Sequence, residues 1–176
     1  MDKLQGLRIS DDKRFIIKED GTNFFWLGDT GWELFHRMTR ESANEYLENR
    51  ASLGFTVIQA VALAEFDGIR VPNAYGRTPL LKNSIGEYDP ALPDLNTEES
   101  RYTYWDHVEY IIDRAEELGL YIGFLPTWGD KYHLKWGVGP EVFCKENAYQ
   151  YGCWIGRRFG GKKNLIWVMG GDRQLG

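Results

Sequence analysis

Four short apolar runs in this sequence each give way to a cluster of side chains able to do chemistry. Phe24-Phe25-Trp26-Leu27-Gly28 leads into Asp29, Trp32, Glu33 and His36. Phe55 to Val61 carries Gln59 and is followed by Glu65 and Asp67. Leu120 to Leu125 is followed by Trp128, Asp130, Lys131 and His133, and Leu165 to Met169 by Asp172 and Arg173. Carboxylates, amides and cations hydrogen-bond hydroxyl groups, while an indole face packs on aliphatic C–H. The mixture suits a carbohydrate substrate.

Trp32 and Trp128 are the candidate stacking residues, with a structural wedge as the alternative for each. Trp26, Trp154 and Trp167 read as core or helix packing, and Trp105 and Trp136 stay undecided. Asp172 is the sharpest candidate for catalysis. Gly170 and Gly171 before it let the backbone turn tightly at the strand exit. As a general acid it needs a raised pKa, from apolar surroundings or a second carboxylate. Otherwise it pairs with Arg173 or caps a following helix. Asp29 and Asp130 can bind hydroxyls, orient a partner or cap the next turn, and Glu65 and Asp67 can be chemical or solvated. His36 and His133 stand at no recognised metal spacing. No serine or cysteine sits at a nucleophile elbow, and no Gly-rich phosphate motif follows a strand. Neither metal nor cofactor is expected.

The elements that must position these groups are legible. Thr39 caps a predicted helix to about Leu53, with Ala43, Leu47 and Ala51 on one face. Tyr104, Val108, Ile111, Ala115 and Leu118 form one stripe, and Gly119 stands where a helix-ending glycine belongs. A third helix runs from about Lys145 to Phe159, with Ala148, Tyr151, Ile155 and Phe159 inward. After each helix comes an apolar strand, so the order is β-α-β-α-β-α-β, which forces parallel pairing. Residues 1–22 read as an N-terminal β-hairpin extension and 23–176 as the first half of an α/β (β/α)₈ TIM barrel. Helix-to-strand links are short. Strand-to-helix links are longer, and the one from Ala62 to about Arg101 is tolerable only as an elaborated active-site loop holding short helical or strand pieces. Barrels place their sites on these strand-to-helix links.

Composition bounds the rest. At 176 residues, 43% apolar and 15% aromatic, the chain can bury a core without metals or disulfides. A net charge of −5 speaks against nucleic acid. Arg157-Arg158 and Lys162-Lys163 read as solvation of a helix end, and Cys144 and Cys153 as thiols rather than a bridge. No apolar leader or membrane-length run occurs. No membrane partner is expected; location stays open, and is cytoplasmic if Met1 is the true start.

Residues 25–36, 57–61, 125–131 and 167–173 together resemble the DUF4038 group of glycoside hydrolases, which includes the apiosidases acting on pectic side chains. The resemblance runs over essentially the whole chain. It implies a TIM barrel, usually followed by a small β-rich domain. Asp172 resembles the family's acid/base at the end of the fourth strand, and Asp29, Trp32, Trp128, Asp130 and Lys131 resemble residues lining the sugar pocket. His36, Gln59, Glu65 and Arg173 are further candidates for substrate binding by position. The family's other catalytic carboxylate comes from the second half of the barrel and has no counterpart here. Expected is hydrolysis of a plant or microbial polysaccharide or oligosaccharide by a longer parent protein, with the 176-residue chain inactive alone. The alternative is a non-catalytic half-barrel that binds carbohydrate or scaffolds an assembly, as a homodimer through its exposed edges if the chain is naturally this short. Sugar isomerisation is the weakest reading, for want of a metal set.

Overall fold

The computed structural model describes residues 4–95, 102–134 and 137–170. In chain order the strands and helices are β1 (Leu7–Ile9), β2 (Ile16–Lys18), β3 (Gly28–Thr30), α1 (Leu34–Arg37), α2 (Arg40–Ser52), β4 (Val57–Val61), β5 (Leu80–Lys82), β6 (Tyr88–Pro93), α3 (Tyr104–Glu117), β7 (Tyr121–Leu125), α4 (Lys145–Phe159) and β8 (Leu165–Trp167). β1 and β2 form an antiparallel hairpin. β3, β4, β7 and β8 form a parallel four-stranded sheet in chain order, joined by helical crossovers. This is the first half of a (β/α)₈ barrel.

Sheet register divides the strand residues between two faces. Asp29, Ile58, Ile122 and Leu165 lie side by side in one row. Ile58 and Ile122 are fully buried among Ala43 and Leu47 of α2 and Val108 and Ile111 of α3. Thr30, Gln59, Gly123 and Ile166 make the alternate row, on the face turned away from the helices. Each fully buried aliphatic or aromatic side chain in the helix-side layer contributes about 1.5–3 kcal/mol.

The helices start and stop on local signals. The Thr39 side chain accepts the Ser42 N–H at 3.3 Å. Thr103 and Asp106 form a reciprocal capping box at the start of α3, and Gly119 takes φ +76° just past its end. The cations at the end of α4 do more than solvate it. Arg158 bonds Asp106 at 2.8 Å and Glu109 at 3.0 Å, clamping α4 to α3.

Several expectations need correction. The sheet strand begins at Gly28, and Phe25 and Trp26 before it are 74% and 42% exposed. Strand β3 is the sheet's edge, and among the described residues no strand covers its outer side. Trp167 on the opposite edge strand is 36% exposed but sets its ring edge-on to the buried Phe124, centroids 5.3 Å apart, on the α4 side, so it packs on that helix rather than within the core. Trp154 packs as expected, 4.7 Å from the Trp105 ring. Trp105 itself is buried and donates Nε1–H to Pro79 O at 2.8 Å. Ala148 is exposed, at the start of the face that carries Tyr151 and Ile155, and lines a cavity with them. The long connection after β4 holds the antiparallel β5–β6 hairpin. Cys144 and Cys153 are free thiols. Among the described residues no helix is long and apolar enough to cross a membrane.

Candidate active site

The C-terminal ends of the parallel strands carry the candidate site. On the face away from the helices, Val61 and Leu125 are buried beneath Trp128, with Trp32 and Val168 packed against them. The Trp32 and Trp128 rings meet edge to face, centroids 4.8 Å apart at 67°. Trp128 is 3% exposed and forms the floor, while Trp32 is half-buried and keeps ring surface available. Gln59 lies one row below, half-buried, level with Thr30. The arrangement offers an aromatic surface with an amide at its base. It can stack a ligand's aliphatic face and hydrogen-bond a hydroxyl.

The Asp130 and Lys131 side chains are buried completely and face each other. Lys131 Nζ donates to Asp130 Oδ2 at 3.0 Å, to Gly139 O at 2.8 Å and to Glu65 O at 3.3 Å. Asp130 Oδ2 also accepts the Gly139 N–H at 2.9 Å. All three ammonium protons are used, which ties the connection after β4 to the connection after β7. Burial lowers the Lys131 pKa, and the neighbouring Asp130 opposes that without reversing it. Gly137 is needed here: at φ +107° its position would set a Cβ 2.9 Å from the Asp130 carboxylate. Glu65 takes part through its backbone carbonyl, with its own side chain half-buried.

His36 is likewise buried, between Glu33 Oε2 at 2.9 Å and the Val71 carbonyl at 2.9 Å. A carbonyl only accepts, so Nε2 carries a hydrogen and Nδ1 faces the glutamate. Burial raises the Glu33 pKa, but bonds from His36 and Arg37 outweigh it and leave the pKa below the ordinary carboxylate value. Glu33 stands in the sequence among the polar residues after the first apolar run, with no role assigned to it. The three-residue spacing from Glu33, the residue before α1, to His36 is the signal that pairs them.

Asp29 stands apart from this group. Its carboxylate lies on the helix side, accepting the Tyr46 hydroxyl at 2.9 Å and an N–H from Arg50. Asp172 and Arg173 lie outside the described residues. The structure thus brings Trp32, Trp128 and Gln59 to the open face, packs Asp130, Lys131 and His36 beneath the loops, and turns Asp29 to the helices. Among the described residues no three His, Cys, Asp or Glu side chains are placed to hold a metal ion.

Residues 10–176 match the family described as apiosidase-like, catalytic domain. A solved structure titled glycoside hydrolase is 33% identical, with TM-score 0.74, over 97% of this chain and 35% of its own. A family 5 glycoside hydrolase from Bacteroides vulgatus is 30% identical, with TM-score 0.76, over 96% of this chain and 33% of its own. An endocellulase from Pyrococcus horikoshii shares the fold at 17% identity, TM-score 0.54, over 97% of this chain and 44% of its own. The chain thus spans about a third of the length of the first two structures. No curated protein matches it.

Proposed function

This chain belongs to the apiosidase-like catalytic-domain family, and from that premise we propose that it forms the first half of the active-site barrel of a glycoside hydrolase acting on a plant or microbial polysaccharide or oligosaccharide. The observation that carries the proposal is the Trp32–Trp128 pair, set at the C-terminal ends of parallel strands on the face away from the helices.

In this reading Asp172, beyond the end of β8, is the general acid that protonates the leaving glycosidic oxygen. A second carboxylate, supplied from outside this segment, acts on the other side of the sugar ring. Separations of about 5–5.5 Å between the two carboxyls give retention and about 6.5–9.5 Å give inversion. In the retaining case Asp172 then activates the water that releases the sugar. Trp32 and Gln59 hold the sugar against the floor while this occurs.

The test is turnover of a panel of plant and microbial oligosaccharides by the natural full-length protein and its Asp172→Asn variant. Expected is hydrolysis by the first and a loss of at least about a hundredfold in kcat in the second. Undiminished hydrolysis by Asp172→Asn overturns the assignment of the acid. Saccharide binding without turnover by the full-length protein overturns the enzyme reading in favour of a carbohydrate-binding half-barrel.

A further inference from the structure

A second cleft, of about 630 Å³, opens between the β5–β6 hairpin and the segment running from Pro140 into α4. We propose that it is an accessory binding site for a neutral saccharide, separate from the Trp32–Trp128 surface.

Its walls are built and fastened. One belongs to the connection that leaves β4, the other to the connection that leaves β7, so the cleft opens on links from the same strand ends as the candidate active site. Lys131 ties these connections through the Glu65 and Gly139 carbonyls. Asn147 Nδ2 spans the gap, donating to Val142 O at 2.8 Å and to Asp89 Oδ1 at 3.4 Å. Volume falls within the range of about 300–1,000 Å³ usual for small-ligand sites.

Its lining mixes charged and amide side chains with Tyr88, Pro140, Val142 and Phe143, the polar share being the larger. Lys82 and Arg70 supply donors, and Glu87, Asp89 and Glu141 supply acceptors. The Lys82 ammonium lies 5.1 Å from the Tyr88 ring centroid and makes no ion pair among the described residues. Arg70 already serves Asp67 through Nε at 2.8 Å. Asp89 accepts the Ala91 N–H and the Asn147 amide through Oδ1, and Oδ2 has no bond among the described residues. Donors and acceptors of both kinds, with carboxylates in the majority, disfavour an anion and match hydroxyls, which both give and accept hydrogen bonds. Choosing a saccharide among polyhydroxy ligands rests on the glycosidase reading above.

The experiment titrates the isotope-labelled natural full-length protein with neutral arabino-, galacto- and xylo-oligosaccharides and follows backbone amide resonances. Expected are saturable shifts at Asn83, Gly86 and Asn147, with affinity reduced at least tenfold in the Lys82→Ala/Asp89→Asn double variant. Movement at Trp32 and Trp128 reports the other site independently. Shifts confined to the cleft support this site while counting against sugar binding at the barrel mouth. Unmoved Asn83, Gly86 and Asn147 at saturating saccharide overturn it, whether or not the mouth responds, and so does unaltered affinity in a folded double variant.

Discussion

Asp29 and Ile58 are register partners across the first two strands of the parallel sheet, and that pairing turns the Asp29 carboxylate toward the helices. Tyr46 and Arg50 of α2 both donate to it. Asp29 therefore fastens the edge strand to its crossover helix.

The first prediction follows from this anchor. Burial works to raise the Asp29 pKa, but bonds from Arg50, the Thr30 N–H and Tyr46 outweigh it and hold the pKa below the ordinary carboxylate value. The same environment pushes Tyr46 up to about 12. A depressed carboxylate stabilises the fold above its unfolded pKa and loses that contribution as pH falls through the folded one. Asp29→Ala is expected to cost about 1–3 kcal/mol at neutral pH, with a smaller difference from wild type near pH 3. Urea denaturation at the two pH values measures this, and saccharide affinity should stay unchanged.

Lys131 supports a second prediction, and here the direction is set by desolvation. Lys131→Met removes the only cation bonded to Asp130 among the described residues and leaves a buried carboxylate, at a cost of about 3–5 kcal/mol. Adding Asp130→Leu should recover part of the loss, since a buried pair replaced by apolar groups costs less than half a pair. Thermal denaturation of the single and double variants checks it. Equal stability of Lys131→Met and wild type would show that the strut carries no load.

His107 gives the third, a pH dependence. It donates Nε2–H to Met38 O at 2.9 Å and meets the Tyr102 hydroxyl through Nδ1 at 2.9 Å. The neutral ring satisfies both bonds. Burial lowers its pKa from 6.5 to about 4, with the Arg40 cation adding to the effect. Between those values the unfolded chain takes up a proton that the folded chain refuses, so stability is full above 6.5 and falls toward pH 4, by up to about 3 kcal/mol. His107→Gln keeps a donor and an acceptor but does not titrate. Its stability profile between pH 7 and 4 should be flatter than that of wild type by this amount.

What the residues alone disclosed follows from how local each signal is. The bounds Lys145–Phe159 and the Gly119 stop of the preceding helix come from periodicity and capping, which act within a few residues. The side on which Asp29 emerges depends on register with Ile58, twenty-nine positions away in sequence. Nothing near Asp29 encodes it. The Lys131 strut depends on Glu65 and Gly139, brought together only by folding. Short strand pieces are expected in the connection after β4, but the bounds of the β5–β6 hairpin are not legible, because three-residue β5 carries too little alternation to read. The exposed run at Phe25 and Trp26 misled because a fully apolar strand normally signals cover on both faces.

The two indoles at the strand ends make the last prediction, since the same residue type does different work at each position. Trp128 is buried against Val61 and Leu125, so Trp128→Ala opens a cavity and should cost about 3–5 kcal/mol. Trp32 is only half-buried and loses chiefly its edge contact with Trp128 at 4.8 Å, so Trp32→Ala should cost about 1 kcal/mol. Ligand binding should show the reverse order among folded variants. Trp32→Ala is expected to weaken saccharide binding roughly tenfold, equivalent to about 1.4 kcal/mol, because the half-buried ring offers the face on which a sugar can stack. Trp128→Phe, which retains an aromatic floor, should bind within about twofold of wild type. Calorimetric titration of both variants, alongside urea unfolding, separates the two roles. Equal affinity for Trp32→Ala and wild type would remove Trp32 from the sugar surface and leave the pair a purely structural wedge.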